Sequence, residues 1–273
     1  VTSLSAVFDR AKAENRAALI GYLPAGFPDV PASISLMQTM VESGVDIIEV
    51  GLPYSDPLMD GPVIQHAAAT ALAAGATTDD VLKAVGAVHE AGAAAVVMSY
   101  WNPIERYGVG RFAQAMSQVG GQGLITPDLT PEEAGEWQNA SAQHDLDRIF
   151  LVAPSSTPAR ISVIVNATSG FVYAASVMGV TGARNSVSGH AHGLVARIRE
   201  STQLPICVGL GVSTGAQANE IAAYADGVIV GSAFVRAITQ AADFKEATSA
   251  VASLSRELAT GVRRRNEEPE ALR

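Results

Sequence analysis

The sequence predicts an α/β fold, a single (β/α)8 TIM barrel with an additional N-terminal helix, running as one domain over residues 1–273. Three observations carry this prediction. Eight short β-like runs recur along the chain, mostly at intervals of roughly 20 to 35 residues, and several are nearly unbroken in apolar residues, as strands covered on both faces are. The segments between them read as helices. The same punctuation, a glycine directly ahead of a strand, returns several times. Strand–helix alternation through the whole chain implies a parallel sheet, and eight roughly even units favour closure over an open, doubly wound sheet.

The runs, in order, are Ala17–Leu23, Val45–Gly51, Ala93–Ser99, Gly123–Thr126, Arg148–Val152, Gly170–Ala174, Pro205–Gly209 and Gly227–Val230. The first helix between strands shows why the intervals read as helical. Asp29 can cap its start, Pro31 fits the first turn, and Ile34, Met37, Met40 and Val41 share one face before Gly44 stops it. Glu42-Ser43-Gly44-Val45 resembles Glu90-Ala91-Gly92-Ala93, and Ser169-Gly170 opens another strand in the same way. No linker or low-complexity stretch marks a second domain. The tail Arg263–Arg273, basic and then acidic, reads as a solvated end.

Composition sets limits on function. Lys+Arg 18 against Asp+Glu 27 gives a formal charge of −9, which argues against nucleic acid and anionic lipid as partners, because both are bound mainly through Lys and Arg. A small anion held by backbone N–H groups is still compatible with that charge. The single cysteine, Cys207, lies among apolar neighbours and reads as a buried, inert thiol. The first residues lack the basic start and apolar core of a signal peptide, and no uncharged apolar run reaches ~18 residues, so a cytoplasmic location is expected.

In barrels of this kind the site lies at the C-terminal ends of the strands. The strongest signal there is Glu49-Val50-Gly51-Leu52-Pro53-Tyr54-Ser55-Asp56-Pro57-Leu58-Met59-Asp60-Gly61-Pro62. Glu49 ends an apolar strand, where burial raises a carboxyl pKa and makes it useful as acid and base near neutral pH. A structural Glu paired with a cation is the competing reading. The loop that follows holds three prolines and two acids, and fixed φ angles stiffen it enough to hold a second acid over the barrel mouth. Spacing alone does not choose between Asp56 and Asp60, and either is also compatible with plain turn chemistry.

Two further signals lie later in the chain. Gly209-Leu210-Gly211 ends the seventh strand, and Gly231-Ser232 ends the eighth and opens a helix, the place where barrels often bind phosphate. The spacing is wrong for a dinucleotide fingerprint. After strand six, Tyr173 should face the mouth, and the Gly- and Ser-rich loop from Ser176 to His192 has the character of a lid. His190 and His192 lack a neighbouring carboxylate or Cys, so no metal is expected, and His66, His89 and His144 fall in helix-like segments.

Together these segments are similar to the α subunit of tryptophan synthase, and the likeness covers essentially the whole chain. Glu49-Val50-Gly51-x-Pro53-Tyr54-Ser55-Asp56-Pro57-x-x-Asp60-Gly61-Pro62 is close to a signature of that family. Thr77-Thr78, Tyr100-Trp101-Asn102-Pro103, Pro127-Asp128-Leu129, Gly179-Val180-Thr181-Gly182 and Gly231-Ser232 add to it. The resemblance implies a carbon–carbon lyase that cleaves indole-3-glycerol phosphate to indole and glyceraldehyde 3-phosphate by a retro-aldol reaction. It implies Glu49 as the acid–base residue and Asp60 as the partner of the indole nitrogen. Tyr173, Tyr22, Met98, Leu151 and Leu210 would position the substrate, and Thr181 would hydrogen-bond Asp60 when the strand-six loop closes. Gly182, Gly211, Gly231 and Ser232 would hold the phosphate. Asp56, Tyr100, Trp101, Asn102 and Pro103 would meet a pyridoxal-phosphate β subunit in an α2β2 complex that makes L-tryptophan. No cofactor and no metal are implied for this chain itself. Gln122 stands where many relatives carry Asp, and Val177 where some carry a basic residue. The alternatives are a stand-alone indole-3-glycerol phosphate lyase and a non-catalytic phosphate-binding barrel.

Overall fold

The computed structural model describes residues 3–175, 184–209 and 211–263. Eight parallel strands close into a barrel in sequence order, and the eighth pairs with the first. They are β1 (Ala18–Pro24), β2 (Ile47–Gly51), β3 (Ala94–Met98), β4 (Gly123–Thr126), β5 (Asp147–Val152), β6 (Val172–Ala175), β7 (Ile206–Gly209) and β8 (Gly227–Val230). All eight runs foreseen in the sequence are strands, with ends moved by one or two residues. β6 begins at Val172 rather than Gly170, because Gly170 turns the chain at φ +74°. Gly44 and Gly92 do the same at φ +104° and +89°, so the repeated punctuation is a left-handed helix-to-strand turn that favours glycine.

The helices cover the outside of the barrel. α1 (Leu4–Ala13) precedes β1, and α2 (Val30–Glu42) starts as the sequence foresaw. The Asp29 carboxylate accepts the Ala32 N–H at 2.8 Å, and Pro31 sits in the first turn. Among the described residues, three intervals hold two helices rather than one. They are α3 (Pro62–Ala73) with α4 (Thr78–Glu90) before β3, α5 (Trp101–Tyr107) with α6 (Val109–Gln118) before β4, and α11 (Ser232–Gln240) with α12 (Phe244–Arg263) after β8. The α3–α4 break has a local cause. Gly75 takes φ +84°, and Thr77 forms a reciprocal capping box with Asp80 that starts α4 afresh. The remaining helices are α7 (Gly135–Gln143), α8 (Pro158–Ala167), α9 (Arg184–Arg199) and α10 (Gly215–Ala222).

Strand alternation makes two cores. Leu19, Ile48, Val50, Val97, Phe150 and Val208 face outward and pack against the helices. Ala18, Ile20, Ile47, Val96, Ile149 and Cys207 fill the barrel interior, with Met98, Leu151 and Tyr173 packed against them. At the N-terminal end of the strands the apolar face of α1 closes this interior, and Phe8 meets Phe171 edge-on at 5.8 Å. A buried ion pair ties the same end: Arg16 donates to both oxygens of Asp46, at 2.7 and 2.9 Å, and the Asp46 carboxylate also accepts the Leu19 N–H. With that end filled, the cavity has to lie at the opposite one.

Candidate active site

A cavity of about 540 Å³ opens among the C-terminal ends of the strands. Its walls are largely apolar, with Met98, Ile125, Leu151 and Ile229 from four strands and Ile64 from α3. Two carboxylates, two phenols, a glycine-rich rim and one arginine break that apolar lining. A flat apolar group fits such walls, and the few polar groups would orient it.

Glu49 is the third residue of β2. Its neighbours Ile48 and Val50 face the helices, so alternation turns Glu49 inward, beside Tyr22 of β1 and Val96 of β3 in register. It is only 2% exposed, and its Oε2 has no hydrogen-bond partner among the described residues. That answers the competing structural reading, since no cation pairs with it there. Burial, with the nearby charge of Asp60 adding to it, pushes its pKa up to about 8. At neutral pH the group therefore holds its proton and can give it up to a bound molecule.

Asp60 ends the proline-stiffened loop and reaches the same cavity half-buried, whereas Asp56 is exposed and does not line it. Burial raises the Asp60 pKa, and a hydrogen bond from Tyr100 works against that rise. The Tyr100 hydroxyl also accepts the Met59 N–H at 2.9 Å. One phenol thus fixes the backbone at the end of the loop and tempers the pKa of the carboxyl beside it.

Tyr22 and Tyr173 face the cavity from β1 and β6. Burial first, and then the neighbouring carboxylates, lift both phenol pKa values well above the ordinary value, so both stay neutral. Each ring lies against a glycine: a Cβ on Gly51 would come within 2.5 Å of the Tyr22 Oη, and one on Gly209 within 2.5 Å of the Tyr173 Oη. The glycines here make room for the tyrosines.

Of the expected phosphate residues, Gly211, Gly231 and Ser232 line the cavity together. Gly211 takes φ +65°, and Gly231 precedes the first turn of α11 without a side-chain cap, so that end presents backbone to the cavity. Gly182, Thr181, Leu210 and Val177 lie outside the described residues, as do residues 176–183 of the stretch read as a lid; its second half is not loop but the start of α9, which runs from Arg184. Met98, Leu151, Tyr22 and Tyr173 line the cavity.

The residues expected to meet a partner separate into two sets. Asp56 and Asn102 are exposed, and Trp101 and Pro103 are half-buried. Asn102 donates to the Tyr54 hydroxyl at 3.2 Å, which ties the two segments into one patch with Leu58 and Met59, 82% and 53% exposed, at its edge. Tyr100 departs from the expectation: it is 2% exposed, stacks near Tyr54 at 5.3 Å, and points inward at the Asp60 loop. Sequence reasoning also missed Arg236, which lines the cavity from α11, four residues after Ser232. The helical repeat of that segment was the available signal. Cys207 is buried as expected, and burial raises its thiol pKa well above the ordinary value. His192 meets the Tyr224 ring edge-on at 5.0 Å. Among the described residues no group of three or more His, Cys, Asp or Glu could hold a metal ion, and no helix is long and apolar enough to cross a membrane.

Comparison with known proteins bears on this geometry. A family model described as tryptophan synthase alpha chain matches residues 8–263. The tryptophan synthase alpha chain of Mycobacteroides abscessus is 61% identical over 261 residues, covering 96% of this chain and 97% of that one. That of Thermobifida fusca is 59% identical, covering 96% and 98%. Among solved structures, a chain of Mycobacterium tuberculosis tryptophan synthase superposes with a TM-score of 0.89 at 58% identity, covering 95% of this chain and 98% of that one. The alpha subunit from Legionella pneumophila superposes with a TM-score of 0.86 at 32% identity, covering 95% and 97%.

Proposed function

The chain belongs to the tryptophan synthase alpha chain family, and from that membership we propose a division of roles among its cavity residues. As a member it is a lyase that cleaves indole-3-glycerol phosphate to indole and glyceraldehyde 3-phosphate, and it works in complex with a β subunit. The family match over residues 8–263 leaves nothing in favour of a stand-alone lyase or a non-catalytic barrel.

The observation that carries the assignment is the buried Glu49, its Oε2 without a partner among the described residues, sharing one cavity with Asp60. The bond to be broken joins indole C3 to the first carbon of the glycerol chain, and it breaks only once C3 is tetrahedral. Protonated Glu49 gives its proton to C3, and positive charge develops at the ring nitrogen. The Asp60 carboxylate accepts the ring N–H and stabilises that charge. The Glu49 carboxylate then takes the proton from the hydroxyl on the glycerol carbon. That C–O bond becomes the aldehyde, the C3–carbon bond breaks, and its electron pair returns to the ring and discharges the nitrogen. Glu49 ends protonated, as it began. A pKa near 8 suits a group that must act in both directions near neutral pH.

Tyr22, Tyr173, Met98 and Leu151 hold the indole and glycerol portions, with Leu210 and Thr181 in the same roles that the family resemblance gives them. The phosphate rests on Gly211, Gly231 and Ser232, together with Gly182. Asp56, Trp101, Asn102 and Pro103 face the β subunit in an α2β2 assembly. Pyridoxal phosphate belongs to that β subunit, this chain carries no cofactor of its own, and the complex works in the cytoplasm. We propose that residues 1–273 act as one domain. The test is release of indole from indole-3-glycerol phosphate by the full chain, with and without a β subunit. A large rate increase on mixing is expected, and turnover that is absent in both cases would overturn the reading.

A further inference from the structure

We infer that Arg236 is a specificity-determining residue that recognises the substrate's charged phosphate end. The inference rests on the phosphate reading of the Gly211–Gly231–Ser232 rim. Arg236 is the one basic side chain among the described residues lining the cavity, which otherwise holds two carboxylates in a chain of net charge −9. A phosphate ester entering there meets the Asp60 carboxylate, and backbone N–H groups alone supply only partial positive charge against it.

Position supports the role. α11 begins at Ser232, and Arg236 follows it by four residues, which puts the two on one helix face. Side chains on a helix lean toward its N-terminus, so an arginine one turn in reaches back over the turn where Ser232 and Gly231 line the cavity. The Arg236 side chain is half-buried and makes no ion pair with the described residues. Its planar guanidinium can offer two N–H donors to phosphate oxygens.

The test is calorimetric binding to the full chain of two probes, indole-3-propanol phosphate and indole-3-propanol, by wild type, R236Q and R236K. Wild type should prefer the phosphate ester. R236Q should bind the ester about tenfold more weakly, the scale of one charge-assisted hydrogen bond in a half-exposed place, and the alcohol within about twofold of wild type. R236K should recover much of the ester affinity, and the salt dependence of ester binding should be shallower in R236Q. Equal ester affinity in wild type and R236Q would overturn the role of Arg236, and so would parallel loss of ester and alcohol, which marks a structural residue. If wild type itself shows no preference for the ester, the phosphate reading of the rim fails.

Discussion

The Tyr100 hydroxyl accepts the N–H of Met59 at 2.9 Å, and the same phenol works against the burial that raises the pKa of Asp60, one residue further on. Tyr100→Phe removes both contacts while keeping the ring. The Asp60 pKa should then rise, because the lost bond is the one that lowers it. We expect kcat/KM for indole formation to fall by about tenfold, against a stability loss of about 1 kcal/mol, the size of one net hydrogen bond. Steady-state kinetics with urea melts checks this. A drop in activity no greater than the fraction unfolded would disprove the positioning role.

Glu49→Gln keeps the shape of the side chain and removes its proton chemistry. Indole formation should fall by about 10²–10⁴-fold, the usual contribution of a general acid–base group. Affinity for indole-3-propanol phosphate should survive. A variant that keeps more than about a tenth of wild-type kcat would remove Glu49 from the mechanism.

The same substitution has a pH signature. The Glu49 pKa in the folded chain is about 8, against 4.5 for an ordinary glutamate. Between those values the folded state holds a proton that the unfolded state has released, so stability falls as pH rises through that window. The slope is at most about 1.4 kcal/mol per pH unit. Glu49→Gln lacks this dependence. The stability gap between variant and wild type should therefore widen in the variant's favour from about pH 4.5 to about pH 8 and then level off. Denaturant melts at several pH values measure it, and a flat difference would contradict the buried carboxyl. In the same frame, wild-type kcat/KM should decline above about pH 8 as the acid loses its proton.

Gly209→Ala places a methyl group 2.5 Å from the Tyr173 hydroxyl oxygen. The ring must swing into the cavity, so ligand affinity should weaken by about tenfold or more, in line with an overpacking cost of ~1–3 kcal/mol. Combining Gly209→Ala with Tyr173→Phe should lose less than the sum of the two single losses. Strict additivity in the double-mutant cycle would show that the contact is unimportant.

At the closed end, Asp46→Asn leaves Arg16 without its main buried partner. Glu14 still holds Arg16 Nε at 2.6 Å. A loss near the lower end of ~3–5 kcal/mol is expected, with ligand affinity unchanged in the folded fraction. A loss below about 1 kcal/mol would show the pair to be dispensable.

The barrel was legible because its strands are apolar runs that no solvated element could hold, and because Gly44, Gly92 and Gly170 mark the turns into them. The doubled helices were not legible as doubled. α3 is alanine-rich and has little polar contrast between its faces, so only the Gly75 turn and the Thr77 cap reveal its end. Glu49 stood out as a charge inside an apolar strand. Asp56 and Asp60 could not be separated by spacing, because burial is what distinguishes them, and burial comes from how Tyr100 draws the loop in. Tyr100, expected to meet the partner along with its neighbours, is buried for the same reason. Its neighbour Trp101 opens a helix and Asn102 is exposed, while Tyr100 itself turns the other way.

Leu58 and Met59 stand out in solvent, yet the Met59 N–H is held by the phenol that also tempers the pKa of Asp60. An associating surface that covers those two side chains grips the very segment that carries the second carboxylate. Thermodynamic linkage then runs both ways. If a bound ligand draws Asp60 into one arrangement, and that arrangement suits the covering surface better, the ligand tightens association by the same factor by which association tightens the ligand. Occupancy of the well and occupancy of the outer patch become two readings of one equilibrium, transmitted over a single peptide unit.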